Sequence, residues 1–166
     1  MNSTFDDERV SFIRESAIRE HVEAAFERHS RELGQLLPDI EIHHIGSTAV
    51  AGSLTKGDLD LQLRVAPEQF AHVDTVLACR FARNVGSRHS PTFSSFKDDG
   101  AAPPLGIQVT VIGGPEDFFF RMRDYLIKHP EENERYNDLK RRFEGALMRE
   151  YRAAKSAFWD ALEGKI

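Results

Sequence analysis

At 166 residues, with 40% hydrophobic and 30% charged side chains, the chain has the length and balance of one ordinary folded domain, which excludes a disordered or fibrous segment. A formal net charge of −5 argues against broad binding to extended nucleic acid, because neutralising a phosphate backbone takes a surplus of Lys and Arg. The one cysteine, Cys79, excludes an intrachain disulfide, and the acidic Asp6, Asp7 and Glu8 together with the lack of a long apolar run point away from a signal peptide or membrane span, so a cytoplasmic location is expected.

Residues 1–12 carry no periodic pattern. From 13 to 36, Ile13, Ala17, Val22, Ala25, Phe26, Leu33 and Leu36 recur at helical spacing, which predicts one long amphipathic helix closed by Pro38. Short apolar strands follow at 40–45 and 58–65. Pro67 opens a helix whose buried stripe is Phe70, Val73, Val76 and Leu77, with Cys79 expected as a small core residue at its end. Strands are predicted at 81–85, 92–96 and 105–112. Pro115 and Glu116 start a helix bearing Phe118, Phe119, Met122, Tyr125 and Leu126. It stops at His129-Pro130, and Glu131 and Glu132 suit the start of the next. There Tyr136, Leu139, Phe143 and Leu147, then Tyr151, Ala154, Phe158 and Leu162, form the apolar face of one helix or of two divided near Gly145. Phe118, Phe119, Phe120 and Trp159 are expected in the core or an interface. The order predicts an α+β fold, a mixed sheet flanked by an N-terminal helix and C-terminal helices, as a single domain over 1–166.

Within 58–65 the alternation is clean. Leu59, Leu61, Leu63 and Val65 face one way, and Asp58, Asp60, Gln62 and Arg64 the other. Two carboxylates two residues apart share a face and repel, and a bridging cation relieves that repulsion. Mg²⁺ is held by one or two carboxylates, with phosphate oxygens and water completing its shell. Gly46-Ser47, at the end of the preceding strand, allows a close backbone approach to an anion and offers a hydroxyl. Lys56 precedes the aspartates and can neutralise a phosphate or remain solvated. Arg64 can pair with Asp60 or touch ligand. His43 and His44 are consecutive on a strand and point to opposite faces. Lys140-Arg141-Arg142 is diluted by Glu131, Glu132, Glu134 and Glu144, so a solvated face is expected there.

Gly46-Ser47, ten intervening residues and Asp58-Leu59-Asp60 resemble the signature of the DNA polymerase beta-like nucleotidyltransferase superfamily. Residues 44–50 and 56–60, followed by Arg123-Asp124-Tyr125-Leu126, His129-Pro130, Tyr136 and Leu139-Lys140, resemble the GrpB family over about residues 12–145. The resemblance implies a minimal nucleotidyltransferase fold. Asp58 and Asp60 would be catalytic and hold Mg²⁺, while Gly46, Ser47, Lys56, Arg123 and Lys140 would hold the phosphates of a nucleoside triphosphate. The acceptor would be an unknown small molecule or protein. Ala51 and Gly57 stand where the family commonly has prolines, and Asp58 stands where it is usually apolar, a change toward the two-carboxylate pattern of active nucleotidyltransferases. Those enzymes usually carry a third acid on a later strand. Gln108 and Thr110 occupy the candidate positions here, and neither acts as a base at neutral pH. Either another base such as His43 or His44 serves, or the site only binds nucleotide. A third alternative is an interaction protein whose aspartates are merely solvated.

Overall fold

The computed structural model describes residues 7–166. Its elements run β1 (Ile13–Arg14), α1 (Arg19–Leu36), β2 (Glu41–Ile45), β3 (Leu54–Thr55), β4 (Leu59–Val65), α2 (Phe70–Ala78), β5 (Ala82–Arg83), β6 (Phe93–Asp98), β7 (Leu105–Val111), α3 (Phe119–Lys128), α4 (Pro130–Arg142) and α5 (Met148–Asp160). Asp6 and the start of the chain lie outside the described residues.

Five strands form a mixed sheet in the order β2-β4-β7-β6-β5, with β4 and β7 parallel and the other pairs antiparallel. The period-2 pattern of β4 divides the sheet into two unlike faces. Leu59, Leu61, Leu63 and Val65, with Leu105, Ile107, Val109 and Val111 of β7, pack beneath α1 and α2 through Val22, Ala25, Leu33, Phe70, Val73 and Leu77. Each such side chain contributes about 1.5–3 kcal/mol by leaving water. The opposite face carries Asp60, Gln62 and Arg64 beside Gly106, Gln108 and Thr110. A second apolar cluster of Val10, Val50, Leu126, Tyr136, Leu139, Met148 and Tyr151 joins α3, α4 and α5 to the segment around Val10. The mixed sheet and its flanking helices match the expected α+β class.

Several local expectations are corrected. The first helix begins at Arg19, not residue 13. Ile13–Arg14 pairs instead with Leu54–Thr55, and Glu15–Ala17 forms one 3-10 turn. The reason is tertiary: the Glu15 N–H donates to the Ser53 carbonyl at 2.9 Å, and its carboxylate takes both Arg19 and the Gly52 N–H. Helical spacing in a sequence carries no trace of such a partner. Helix α3 starts at Phe119 because Glu116 and Asp117 turn inward, to Thr92 and to Arg64 and the Gly113 N–H respectively. The C-terminal pattern is two helices, separated at Gly145 with φ of 78°. Cys79 caps α2 as expected but is exposed rather than in the core. Trp159 lies in the α4–α5 seam, edge-on to Tyr136 at 5.5 Å between ring centroids. Among the described residues no helix is long and apolar enough to cross a membrane.

Candidate functional site

Strand β4 sets Asp60 opposite Ile45 on one side and Gly106 on the other, on the polar face of the sheet. The carboxylate is wedged between two backbones. A Cβ built on Gly46 would lie 2.9 Å from Asp60 Oδ2, and one on Gly106 would lie 2.5 Å from Oδ1. Gly46 also has φ of 78°, a left-handed conformation that other residues adopt at a cost. These two positions therefore need glycine for the carboxylate to sit where it does. Among the described residues no hydrogen bond reaches the Asp60 carboxylate. Burial first, and the Asp58 charge second, push its pKa up to about 6, while Lys155 and Lys56 act in the other direction.

Asp58 lies just before β4, half-buried, with the Lys56 ammonium 3.4 Å from its carboxylate. Lys56 is thus placed on the carboxylate pair. The Asp58 carbonyl accepts from Thr48 Oγ1 at 3.1 Å, which ties the two ends of the intervening loop together. Among the described residues no group of three or more His, Cys, Asp or Glu side chains is arranged to hold a metal ion. The donor set is two carboxylates, one of them without a donor of its own. It fits Mg²⁺ held jointly with phosphate oxygens and water, and does not supply a closed all-protein cage.

After Gly46, Ser47–Ala49 makes one 3-10 turn, and the loop returns through β3. Helix α4 grips that loop from outside. Asn133 Oδ1 accepts from Ser53 Oγ at 3.0 Å. Asn137 accepts from the Leu54 N–H and donates to the Gly52 carbonyl, both at 2.9 Å. Lys140 Nζ donates to Ser47 Oγ at 2.7 Å and to the Leu54 carbonyl at 2.6 Å. These residues are spaced 133, 137, 140, one face of a helix. Lys140 is 1% exposed, not part of the solvated basic run, and its Nζ lies 4.1 Å from the Tyr136 ring centroid. Burial, then the charge of Lys155, pushes its pKa down to about 7. The Glu144 carboxylate that could have paired with it is instead bound to Ser11 Oγ and the Phe12 N–H.

The other predicted residues divide between the site and its supports. Arg123 pairs with Asp124 at 2.8 Å and donates to the His44 carbonyl at 2.9 Å, bracing the end of β2 just before Gly46. His43 and His44 do face opposite ways. His43 bonds Glu41 and stacks on Phe120. His44 stacks on Phe26, bonds Thr48 Oγ1, and is pushed down to about 4 by burial and then by Arg123. Arg64 pairs not with Asp60 but with Asp117, Nε to Oδ1 at 2.7 Å, and with Glu41. Thr110 is buried in the same network, where Gln62 donates to Thr110 Oγ1 and to Asp117. Gln108 pairs in register with Gln62, and its Oε1 meets no donor among the described residues.

Sequence reasoning passed over Glu15 and Asp117, both buried acids. Each has its pKa held low, first by the guanidinium it bonds, Arg19 or Arg64. They are structural acids rather than substitutes for a third site carboxylate, since hydrogen bonds already occupy them.

The family model described as GrpB protein matches residues 16–165. The chain belongs to the GrpB family. The match runs through α5, past the limit near residue 145 drawn from the motifs. A UPF0157 protein of Vibrio cholerae is 28% identical over 159 residues, covering 95% of this GrpB chain and 84% of that protein. Among solved structures, GrpB from Enterococcus faecalis superposes with a TM-score of 0.59 at 19% identity, over 73% of this chain and 76% of that one. Cid1, described as having RNA terminal uridylyl transferase activity, superposes with a TM-score of 0.52 at 13% identity, over 77% of this chain and 39% of Cid1. A Cid1 poly(U) polymerase structure described as Mg 3′-dATP bound gives 0.53 at 14% identity, over 77% and 41%. These likenesses show a nucleotidyltransferase-like fold. This GrpB chain spans about two fifths of the Cid1 chains it matches.

Proposed function

We propose that this GrpB-family protein is a Mg²⁺-dependent nucleotidyltransferase that moves a nucleotidyl group from a nucleoside triphosphate to a small-molecule or protein acceptor. The observation that carries this reading is the Asp60 carboxylate, wedged between Gly46 and Gly106 beside Asp58 with no hydrogen-bond donor among the described residues. A rigid strand that holds two carboxylates together, with Lys56 paired to Asp58 alone, has a use for a further cation at Asp60. Asp58 and Asp60 hold the metal, which when bound supplies charge neutralisation on the transferring phosphoryl group and the leaving pyrophosphate. The Gly46 backbone approaches the phosphates and Ser47 Oγ, already accepting from Lys140, is free to donate its own proton to a phosphate oxygen. Lys140 and Lys56 bring positive charge, and Arg123 fixes the strand end that carries the turn. The acceptor forms a new bond to the α-phosphorus as the bond to the β-phosphate oxygen breaks. The tests are pyrophosphate release and transfer of α-labelled nucleotide, with each of the four nucleoside triphosphates and Mg²⁺, against fractionated metabolites and proteins. The expected result is labelled product with wild type and none with Asp60→Asn.

One observation favours a second reading. Gln108 and Thr110 stand at the candidate third-acid positions, and Thr110 is bonded into the Gln62–Asp117 network. A module that binds nucleotide without turnover fits that arrangement, and it predicts metal-assisted binding with no pyrophosphate from any triphosphate.

A further inference from the structure

On the polar face of the sheet, strand pairing sets the side chains in rows. One row is Asp60, Gly106 and Lys97, on β4, β7 and β6, and the next is Gln62, Gln108 and Ser95. Position 106 has no side chain, so the first row is open in its middle. A Cβ built there would lie 2.5 Å from Asp60 Oδ1 and 3.6 Å from Gln108 Nε2, which makes the carboxylate and the amide nitrogen two borders of one slot. The amide is turned as a neighbouring carboxylate favours, nitrogen toward the slot and oxygen inward. Gln62 and Thr110 are committed to the Phe120 N–H and to Asp117. Gln108 is not: its buried Oε1 has no donor among the described residues, and neither has Ser95 Oγ a partner, although the two residues are in register. No hydrogen bond of the fold uses either side chain.

No proton acceptor stands at the slot. His44 is in register with Leu61 and stacks on Phe26, on the packed face of the sheet. His43 shares the polar face, in register with Gln62, but its Nε2 bonds Glu41 and its ring lies on Phe120. The two aspartates hold the metal in the reading above, and Gln108 does not ionise. An alcohol or amine that attacks phosphorus has a proton to lose, whereas a phosphate or carboxylate oxygen arrives without one. The amide nitrogen suits that oxygen too, because an N–H that donates to an oxyanion makes a charge-assisted bond. We propose that Gln108 Nε2 holds an oxyanion acceptor in the slot over Gly106, so that the nucleotidyl group passes to a phosphate or carboxylate oxygen, which rests on the nucleotidyltransferase reading above. The acceptor oxygen bonds the α-phosphorus, the bond from that phosphorus to the β-phosphate oxygen breaks, and its electron pair leaves with pyrophosphate. No proton is transferred. A phosphate acceptor gives a pyrophosphate-linked nucleotide, and a carboxylate gives an acyl nucleotide.

The test incubates wild type, Gln108→Met and Gln108→Glu with α-labelled nucleoside triphosphates, Mg²⁺ and the metabolite and protein fractions of a cell extract. The expected product either disappears when the fraction is first treated with phosphatase, which marks a phosphate acceptor, or is cleaved by hydroxylamine, which marks a carboxylate. Gln108→Met lacks one charge-assisted hydrogen bond and is expected to give about tenfold less product at limiting acceptor. Gln108→Glu repels an oxyanion and is expected to lose more, whereas a missing third acid would make it gain. The rise in Tm with Mg²⁺ and triphosphate, measured on each variant, is expected to match wild type and reports that the fold and the metal site are intact. Product that survives both treatments, or wild-type yield from either variant, overturns the oxyanion acceptor and leaves the nucleotidyltransferase reading in place. Loss of the Tm rise in both variants places Gln108 with the nucleotide and overturns it as well. No product from any fraction overturns both readings.

Discussion

Asp60 is the residue on which the proposed site rests, and its neighbours decide what can be tested. A methyl group at Gly106 would meet Asp60 Oδ1 at 2.5 Å, so the carboxylate or the strand must move. Gly106→Ala is therefore expected to weaken Mg²⁺-nucleotide binding at least tenfold and to cost about 1–3 kcal/mol of stability, measured by calorimetry and urea unfolding. Lys140 gives a pH test with a definite sign. Its folded-state pKa near 7 lies below the ordinary 10.5, so the unfolded chain binds more protons between those values. Stability from this group rises with pH across that window and is lost as pH falls through the folded value. Urea titrations of wild type and Lys140→Met at pH of about 7 and about 9 are expected to show the wild type gaining relative to the variant at the higher pH. At this scale Gly46, Ser47, Asp58 and Asp60 stood out in the sequence as candidates because the Gly-Ser turn and the Asp-x-Asp alternation are local patterns, and the structure sets Gly46 against Asp60. Glu15 and Asp117 were not. Asp117 bonds Arg64 of β4 and Glu15 reaches Gly52, and distant partners leave no periodic signal.

At the scale of elements, α4 works as a clamp on the loop between Ser47 and Thr55. Asn133 and Asn137 carry no signal in the sequence, because what buries them is the loop they bond and no apolar spacing announces that. Asn137 is 1% exposed and satisfies both the Leu54 N–H and the Gly52 carbonyl. Asn137→Ala strands both groups, and a buried unsatisfied polar group costs about 1–3 kcal/mol. The expected outcome is a loss of about 2 kcal/mol in urea unfolding together with weaker nucleotide binding, since the loop carries Ser47. The Arg64–Asp117 pair fastens β4 to the turn before α3 in the same way. Removing one partner of a buried pair costs about 3–5 kcal/mol, so Asp117→Ala is expected to be the more damaging of the two in the same assay. The apolar stripes of α1 and α2 were read correctly because the sheet beneath them is apolar. The start of α1 was misread because strand pairing with Leu54–Thr55 overrode a helical pattern at residues 13–17.

Over the whole molecule, one sheet face is packed beneath two helices and the other carries the polar site, with α3, α4 and α5 as the remaining wall. That division followed from the alternation in β4. The nucleotidyltransferase-like likeness confirms the fold class, and the family match extends through α5. The acidic net charge of −5 supplies little of the positive surface that a long nucleic-acid strand requires. Fluorescence anisotropy with a labelled single-stranded RNA at physiological salt is expected to show no tight binding. Thermal unfolding with each nucleoside triphosphate, with and without Mg²⁺, on wild type and Asp60→Asn, tests the central claim most directly. A ligand at about 100 times its Kd stabilises the native state by about 2.7 kcal/mol. The account predicts a Mg²⁺-dependent rise in Tm for wild type that disappears in Asp60→Asn. No rise with any triphosphate, or one undiminished in Asp60→Asn, would contradict it.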